Sequence, residues 1–452
     1  MVIFKYKRFI LLALICEILT FGCKKEEEII VPPKTVTPPV VVAKVKSYYV
    51  DIVNGSTANS GLTPTLAKKN IQEASDLTIP GDTVFIMNGT YTKTTYGSVL
   101  EFKNNGSTAG YITFKPMLGH KPKISAYGGS WNAMVITGSY VIFEGLDFEG
   151  NNANLNLIDA MKAFDDAADK IVGPQAAYNT NCISIGIAHH VIIRNCKVHD
   201  FPGGGIGVGA ADYVTIENNT VYNNSWYGMY ATSGISILGP KPIDDVTTYK
   251  MIIRGNTVYN NKTQVPWYTG KGRPYKLSDG NGIIIDVNNG TQSTPVYTGR
   301  TLVENNVSYN NGGGGIHAYQ AVRVDIINNT AYHNGIIMDY PDIDGQSSKD
   351  INILNNIMYA RNGGKCNGND ADAKYDYNIY FNGITYRKGT NDLVVEPNFV
   401  SLSINPVNAN FTLQAGSPAV NSGTTQLFSK IDILGVARPK GSGIDRGAYE
   451  SF

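Results

Sequence analysis

The 452-residue chain is poor in cysteine, histidine, tryptophan and charge: five Cys, six His and three Trp, with only 17% of residues charged. Cys16 and Cys23 lie in the N-terminal stretch, which leaves Cys182, Cys196 and Cys366. An odd number at irregular spacing excludes a disulfide framework, and with no CxxC pair or His/Cys cluster no zinc site is expected. The formal charge of +1 becomes −1 once residues 1–22 are set aside, because Lys5, Lys7 and Arg8 leave together with Glu17. Bulk electrostatics therefore gives no reason to expect a nucleic-acid partner. The apolar run from Phe9 to Phe21 is too short to span a bilayer comfortably. What the chain has in excess is glycine and asparagine, 48 and 45 residues, a mixture that suits tight turns repeated many times over.

Basic residues, an apolar run and the ending Leu19-Thr20-Phe21-Gly22-Cys23 resemble a bacterial lipoprotein signal, with Cys23 as the lipidated residue. An ordinary secretory signal is the alternative. Lys24-Lys25-Glu26-Glu27-Glu28 resembles the charged export tag of surface lipoproteins in Bacteroidetes-type bacteria. Residues 23–46 then form a tether whose Pro32, Pro33, Pro38 and Pro39 favour an extended spacer. The expected location is the outer membrane or cell surface, anchored through Cys23, with the protein a monomer.

Six segments align on the motif Ile-x-Ile, beginning at Cys182, Gly205, Gly234, Gly282, Gly315 and Gly335. Their second and fourth residues are apolar, so period-two alternation turns those inward and the third and fifth outward. A second strand follows, as in Val214-Thr215-Ile216-Glu217, and then a third, as in Thr220-Val221-Tyr222. Asn219, Asn256, Asn306, Asn329 and Asn356 recur at one corner and should stack, each amide bonding the next, while Cys196 takes the same place as a buried thiol. Glu144, Arg194, Glu217, Arg254 and Glu304 should form a surface ladder of alternating charge, which we read as structural. Residues Ala67–Leu77 are expected to form a short N-terminal capping helix. The fold class expected is all-β, a parallel β-helix of three strands per coil over residues 47–380, with C-terminal coils and a capping segment over 381–452.

Tyr48-Tyr49-Val50, Pro80-Gly81-Asp82-Thr83-Val84, Gly89-Thr90-Tyr91, the Asn-Asn-x-x-Tyr coils and Arg446-Gly447-Ala448-Tyr449-Glu450 together resemble the bacterial right-handed parallel β-helix proteins related to polysaccharide lyases and β-helical glycoside hydrolases. The resemblance implies a polysaccharide substrate, with β-elimination of a uronate-containing glycan ahead of hydrolysis, and a noncatalytic glycan-binding or adhesive role as a third class. It also implies calcium bound by clustered Asp, for which Asp279, Asp286 and Asp339 are the candidate ligands, although no Lys stands at a matching outward position to serve as the base such lyases use.

The register places Asp286, Tyr319 and Asp339 in one outward column with His317 beside it. Asp286 and Asp339 then stand two coils apart, about 9.6 Å at the backbone. For elimination, His317 is the candidate base and Tyr319 the proton donor. For hydrolysis, Asp286 and Asp339 are the candidate acid and base. Trp226, Tyr230, Trp267, Arg273 and Lys276, on loops between coils, are candidate substrate-binding residues, since sugar faces pack on aromatic rings. Asp165, Asp166 and Asp169 could hold a cation, although their spacing fits no EF-hand pattern.

Overall fold

The computed structural model describes residues 44–451 other than 94, 127, 128 and 293. The signal, Cys23 and the proline-rich tether lie outside the described residues. Among the described residues, no helix is long and apolar enough to cross a membrane.

Three short strands per coil stack into three parallel sheets, two of eleven strands and one of eight, as the repeat predicts. The eight-stranded sheet, here the first, runs through Leu100–Phe102, Asn132–Ile136, Asn181–Gly186, Ile206–Gly209, Ile235–Leu238, Ile283–Asp286, Ile316–Tyr319 and Ile343–Asp344. Ile183, Ile206, Ile235, Ile283, Ile316 and Ile343 stack in register inside the coil and are all buried. A buried isoleucine contributes roughly 1.5–3 kcal/mol through its removal from water, so the stacked rows drive the winding. The sheet also reaches two coils further toward the N-terminus than the Ile-x-Ile motif reveals, because Leu100, Phe102, Met134 and Ile136 do the same inward work.

Asparagines hold the corners. The Asn219 side chain donates to Asn256 Oδ1, and the chain of amides continues through Asn306, Asn329, Asn356 and Asn378 at 3.0 Å per step. Buried Cys196 begins this ladder, its backbone N–H donating to Asn219 Oδ1. A second ladder, not foreseen, passes Asn224, Asn261, Asn311 and Asn334 and ends on the Asp342 carboxylate. Each amide satisfies a buried backbone N–H that the turn leaves without a strand partner.

The charge ladder forms in part. Arg194 bridges Glu144 at 2.9 Å and Arg254 bridges Glu217 at 2.7 Å. Glu304 is buried instead, and burial raises its pKa.

The N-terminal helix is shorter than expected, Ile71–Ser75, because Asn70 and Glu73 form a capping box and Lys68 bridges to Val50. Its buried Ile71 and Ala74 still pack into the core. At the other end, the polypeptide after Leu393–Val394 does not merely close the last coil. It packs along the flank, where Phe399 and Phe411 cover Tyr309, Tyr332 and Tyr359, and Asn305, Asn328 and Asn355 donate to its backbone.

Candidate functional site

Outward side chains on the first sheet change character along its length. Toward the N-terminus they are Ser184, Gly186, Gly207, Gly209 and Ser236; then come Ile284, Asp286, His317 and Tyr319. The strand register sets Ile284, His317 and Asp344 in one row and Leu238, Asp286 and Tyr319 in the next. Asp286, His317 and Tyr319 thus lie where the alternation places them.

Asp339 does not. Gly335–Asp339 is a turn in which Asp339 adopts φ 53° and its backbone N–H bonds Gly335 O. Ile336 is exposed, so the segment only mimics the strand motif. The Asp339 carboxylate is taken by Arg361 and by Lys365 at 2.9 Å. The place in the sheet belongs to Asp344, which sequence reasoning missed. Aligning Asp342-Ile343-Asp344 under Gly315-Ile316-His317 through the second asparagine ladder would have found it.

Asp344 contacts His317 Nδ1, and both side chains are buried. Tyr319 and Tyr340 flank the imidazole at ring distances of 5.8 Å each, nearly parallel to it. His317, Tyr319 and Tyr340 floor a cleft of about 550 Å³ whose lining also includes Tyr230, Trp267, Asp279 and Asp286. Asp279 comes from the long loop before the Ile283–Asp286 strand, with φ 61°, and accepts from Asn281 Nδ2 at 3.1 Å and from Ser278 Oγ at 3.3 Å.

The proton inventory is unusual. Burial, reinforced by the Asp286 charge, pushes Asp279 up to about 7. Burial likewise pushes Asp286 up to about 6, against the attraction of His317. Burial alone would discharge His317, but the attraction of Asp344, Asp279 and Asp286 holds its pKa above the ordinary value. Near neutrality the cleft therefore holds two carboxyl groups poised to take and release a proton, beside a histidine whose charged form its neighbours favour, the condition for acid–base work at that pH.

The candidate binding residues divide. Tyr230 and Trp267 line the cleft. Trp226 instead packs beneath Lys262 and donates to Asn260 O. Arg273 is drawn away to the Leu157–Ala168 helix, bridging Asp165 at 3.0 Å and Asp169 at 3.2 Å, so these acids hold a guanidinium and not a cation site. Lys276 is exposed and is not part of the cleft lining. Among the described residues no group of three or more His, Cys, Asp or Glu is arranged to hold a metal ion.

Comparison with known proteins agrees with the coil. The family model described as a right handed beta helix region matches residues 123–296. No curated protein matches the chain. Among solved structures, pectate lyase Pel9A is similar with a TM-score of 0.57 at 16% identity, over 90% of this chain and 97% of that one. A rhamnogalacturonan lyase aligns with a TM-score of 0.47 at 15% identity, over 79% and 91% of the two chains. Lacto-N-biosidase from Eubacterium ramulus aligns with a TM-score of 0.49 at 14% identity, over 78% and 67%. At these identities the likeness is one of fold: the protein is a right-handed parallel β-helix.

Proposed function

We propose that this β-helix is an extracellular glycan-cleaving enzyme whose chemistry is centred on Asp279, Asp286 and His317. The observation that carries the reading is that Asp279 and Asp286 line one cleft with His317, where burial raises the two carboxyl groups to about 7 and about 6. Near pH 7 Asp279 keeps part of its proton while Asp286 is mostly ionised, so one can donate while the other accepts, as glycoside hydrolysis requires. Asp279, with the higher value, is the acid that protonates the glycosidic oxygen as the carbon–oxygen bond breaks. Asp286 takes a proton from the attacking water, whose oxygen bonds to the anomeric carbon. His317, held by Asp344, supplies the positive charge that keeps Asp286 ionised. Asp279 thus replaces Asp339 as partner of Asp286. Exposed Tyr230 and Trp267 give the sugar rings a stacking surface. The names of the fold neighbours, two lyases and a biosidase, agree with a glycan substrate.

β-Elimination is the second reading, favoured by the fixed His317–Asp344 pair, an oriented base beside Tyr319 and Tyr340 as donors. It ranks lower because the carboxylates around His317 favour its protonated form, which cannot act as a base. Calcium would belong to this reading, held by Asp279 and Asp286, where its charge would offset that of a uronate. A glycan panel separates the outcomes. Hydrolysis yields reducing ends without ultraviolet absorbance, elimination yields an absorbing unsaturated sugar, and binding without products leaves an adhesive role. Export and a lipid anchor at Cys23 complete the proposal; Cys23→Ser should release the protein from membranes, and unchanged fractionation would reject the anchor.

A further inference from the structure

The cleft at His317 is half of a longer groove. A second cleft of about 330 Å³ shares Tyr230, Ala231 and Leu238 with it and continues over the coils on the N-terminal side. Its floor includes the outward residues Ser184, Gly186, Gly207, Gly209 and Ser236. Glycine inside a strand weakens it, since it offers no side chain to pack, and often marks close approach of a ligand. Backbone geometry does not demand glycine here. Gly186, Gly207 and Gly209 lack positive φ, and a Cβ at any of them would meet nothing nearer than 3.7 Å. The effect of the three is a floor kept low between the wall residues. Tyr230 stands where the two clefts meet, 41% exposed, and Trp267 lines the His317 cleft, 46% exposed.

Charge decides what chemistry the groove accepts. Among the described residues neither cleft is lined by Lys or Arg. Of the nearby cations, Arg361 and Lys365 are engaged by Asp339 and Arg273 by Asp165 and Asp169, while Lys276 is exposed outside the cleft lining. A polyuronate would bring one carboxylate per sugar against Asp279 and Asp286 with His317 as the one compensating cation. Uncharged sugars would instead meet the hydroxyls of Ser184 and Ser236 and the amides of Gln292 and Gln346.

We infer that the groove takes an uncharged glycan chain, with several sugars lying on the glycine and serine floor to the N-terminal side of the cleavage point. This deepens the proposed function and rests on it.

The test measures binding separately from cleavage. Wild type and Asp286→Asn are assayed by affinity electrophoresis and calorimetry against neutral polysaccharides (xylan, mannan, galactan, β-glucan) and polyuronates (pectate, alginate), each with EDTA and with added calcium. The expected result is that at least one neutral glycan binds, with every polyuronate at least tenfold weaker in wild type with EDTA or calcium. Gly207→Phe, at a position with room for the side chain, should weaken binding of the neutral polymer at least tenfold while leaving the circular-dichroism spectrum unchanged. Polyuronate binding equal to or tighter than that of the neutral glycans in either condition overturns the inference. So does failure of both sets to bind, or a Gly207→Phe protein with native spectrum and unchanged affinity. Neutral-glycan binding without products would uphold the groove assignment and defeat the catalytic reading, so the two failures are distinct.

Discussion

Two buried histidines, each beside carboxylates, divide the molecule into a proposed working face and a sealed one. His317 on the first sheet contacts Asp344 at the floor of an open groove. His199, on the strand Lys197–His199 of an eleven-stranded sheet, lies between Asp147 at 3.0 Å and Asp200 at 2.6 Å and stacks on Tyr222, whose ring column continues through Tyr259 and Tyr309 to Phe411. The pairing chemistry is the same, but the surroundings are not. Both carboxylates beside His199 bond it directly, so the imidazolium is fully matched and acts as a staple between coils. Around His317, Asp279 and Asp286 stay outside the Asp344 contact, and their protons remain available to a ligand. A buried His–Asp pair is thus no sign of chemistry by itself; what matters is whether further titratable groups share an accessible cleft with it.

The comparison can be broken most sharply on the working face. Asp286→Asn should lower turnover on a confirmed glycan by about 10³-fold or more with the fold intact, because it removes one of two proton-transfer groups. Turnover within tenfold of wild type would move the chemistry elsewhere. On the sealed face and its corners, the loss should be in stability. Asn306→Ala removes the acceptor of the Asn256 backbone and side-chain N–H groups and the donor to Ile253 O, all buried. Unpaired buried groups cost about 1–3 kcal/mol each, so denaturant unfolding should show a loss of at least 3 kcal/mol.

His199 sharpens the contrast through pH. Burial disfavours its charge, yet Asp147 and Asp200 together push it up to about 9, against 6.5 for the ordinary side chain. A raised histidine pKa stabilises the fold fully below about pH 6.5 and loses that contribution as pH climbs toward 9. The loss should be about 2–3 kcal/mol, discounted for the part-exposed carboxylates, and His199→Gln should flatten the dependence between those limits. The smallest effect is expected at Asp342, whose burial pushes it up to about 7 and whose Oδ2 has no partner. A carboxyl raised in this way costs stability as pH rises from about 4 through 7. Asp342→Asn should therefore gain about 1 kcal/mol at pH 8 and nothing at pH 4, measured by thermal unfolding.

How much of this was legible follows from what forces each feature. The Ile-x-Ile rows and the first asparagine ladder could be read from the sequence because every coil must repeat them to stack. That register carried Asp286, His317 and Tyr319 to their observed places. It failed at Gly335–Asp339, where an apolar pattern sits in a turn, and so substituted Asp339 for Asp344. The asparagines were the better guide there: Asn334 bonds Asp342, which fixes the following Ile343 and Asp344 in the sheet. Arg273 was misplaced for a different reason. Its partners lie 104 and 108 residues away on a helix inserted between coils, and no local pattern announces such a contact.

The central claim is that carboxyl groups, with His317 as their counter-charge, carry the proton transfers in the groove. The most direct test is the pH dependence of kcat/KM on a confirmed glycan, for wild type and His317→Gln below its melting temperature. The account predicts a bell, rising near pH 6 as Asp286 ionises to become the base and falling near pH 7 as Asp279 loses the proton it must donate. It also predicts that His317→Gln moves both limbs upward, because the imidazolium lowers both carboxyl values. Activity that instead rises from pH 7 to 9, and vanishes in His317→Gln, would contradict the account and identify His317 as the base of an elimination.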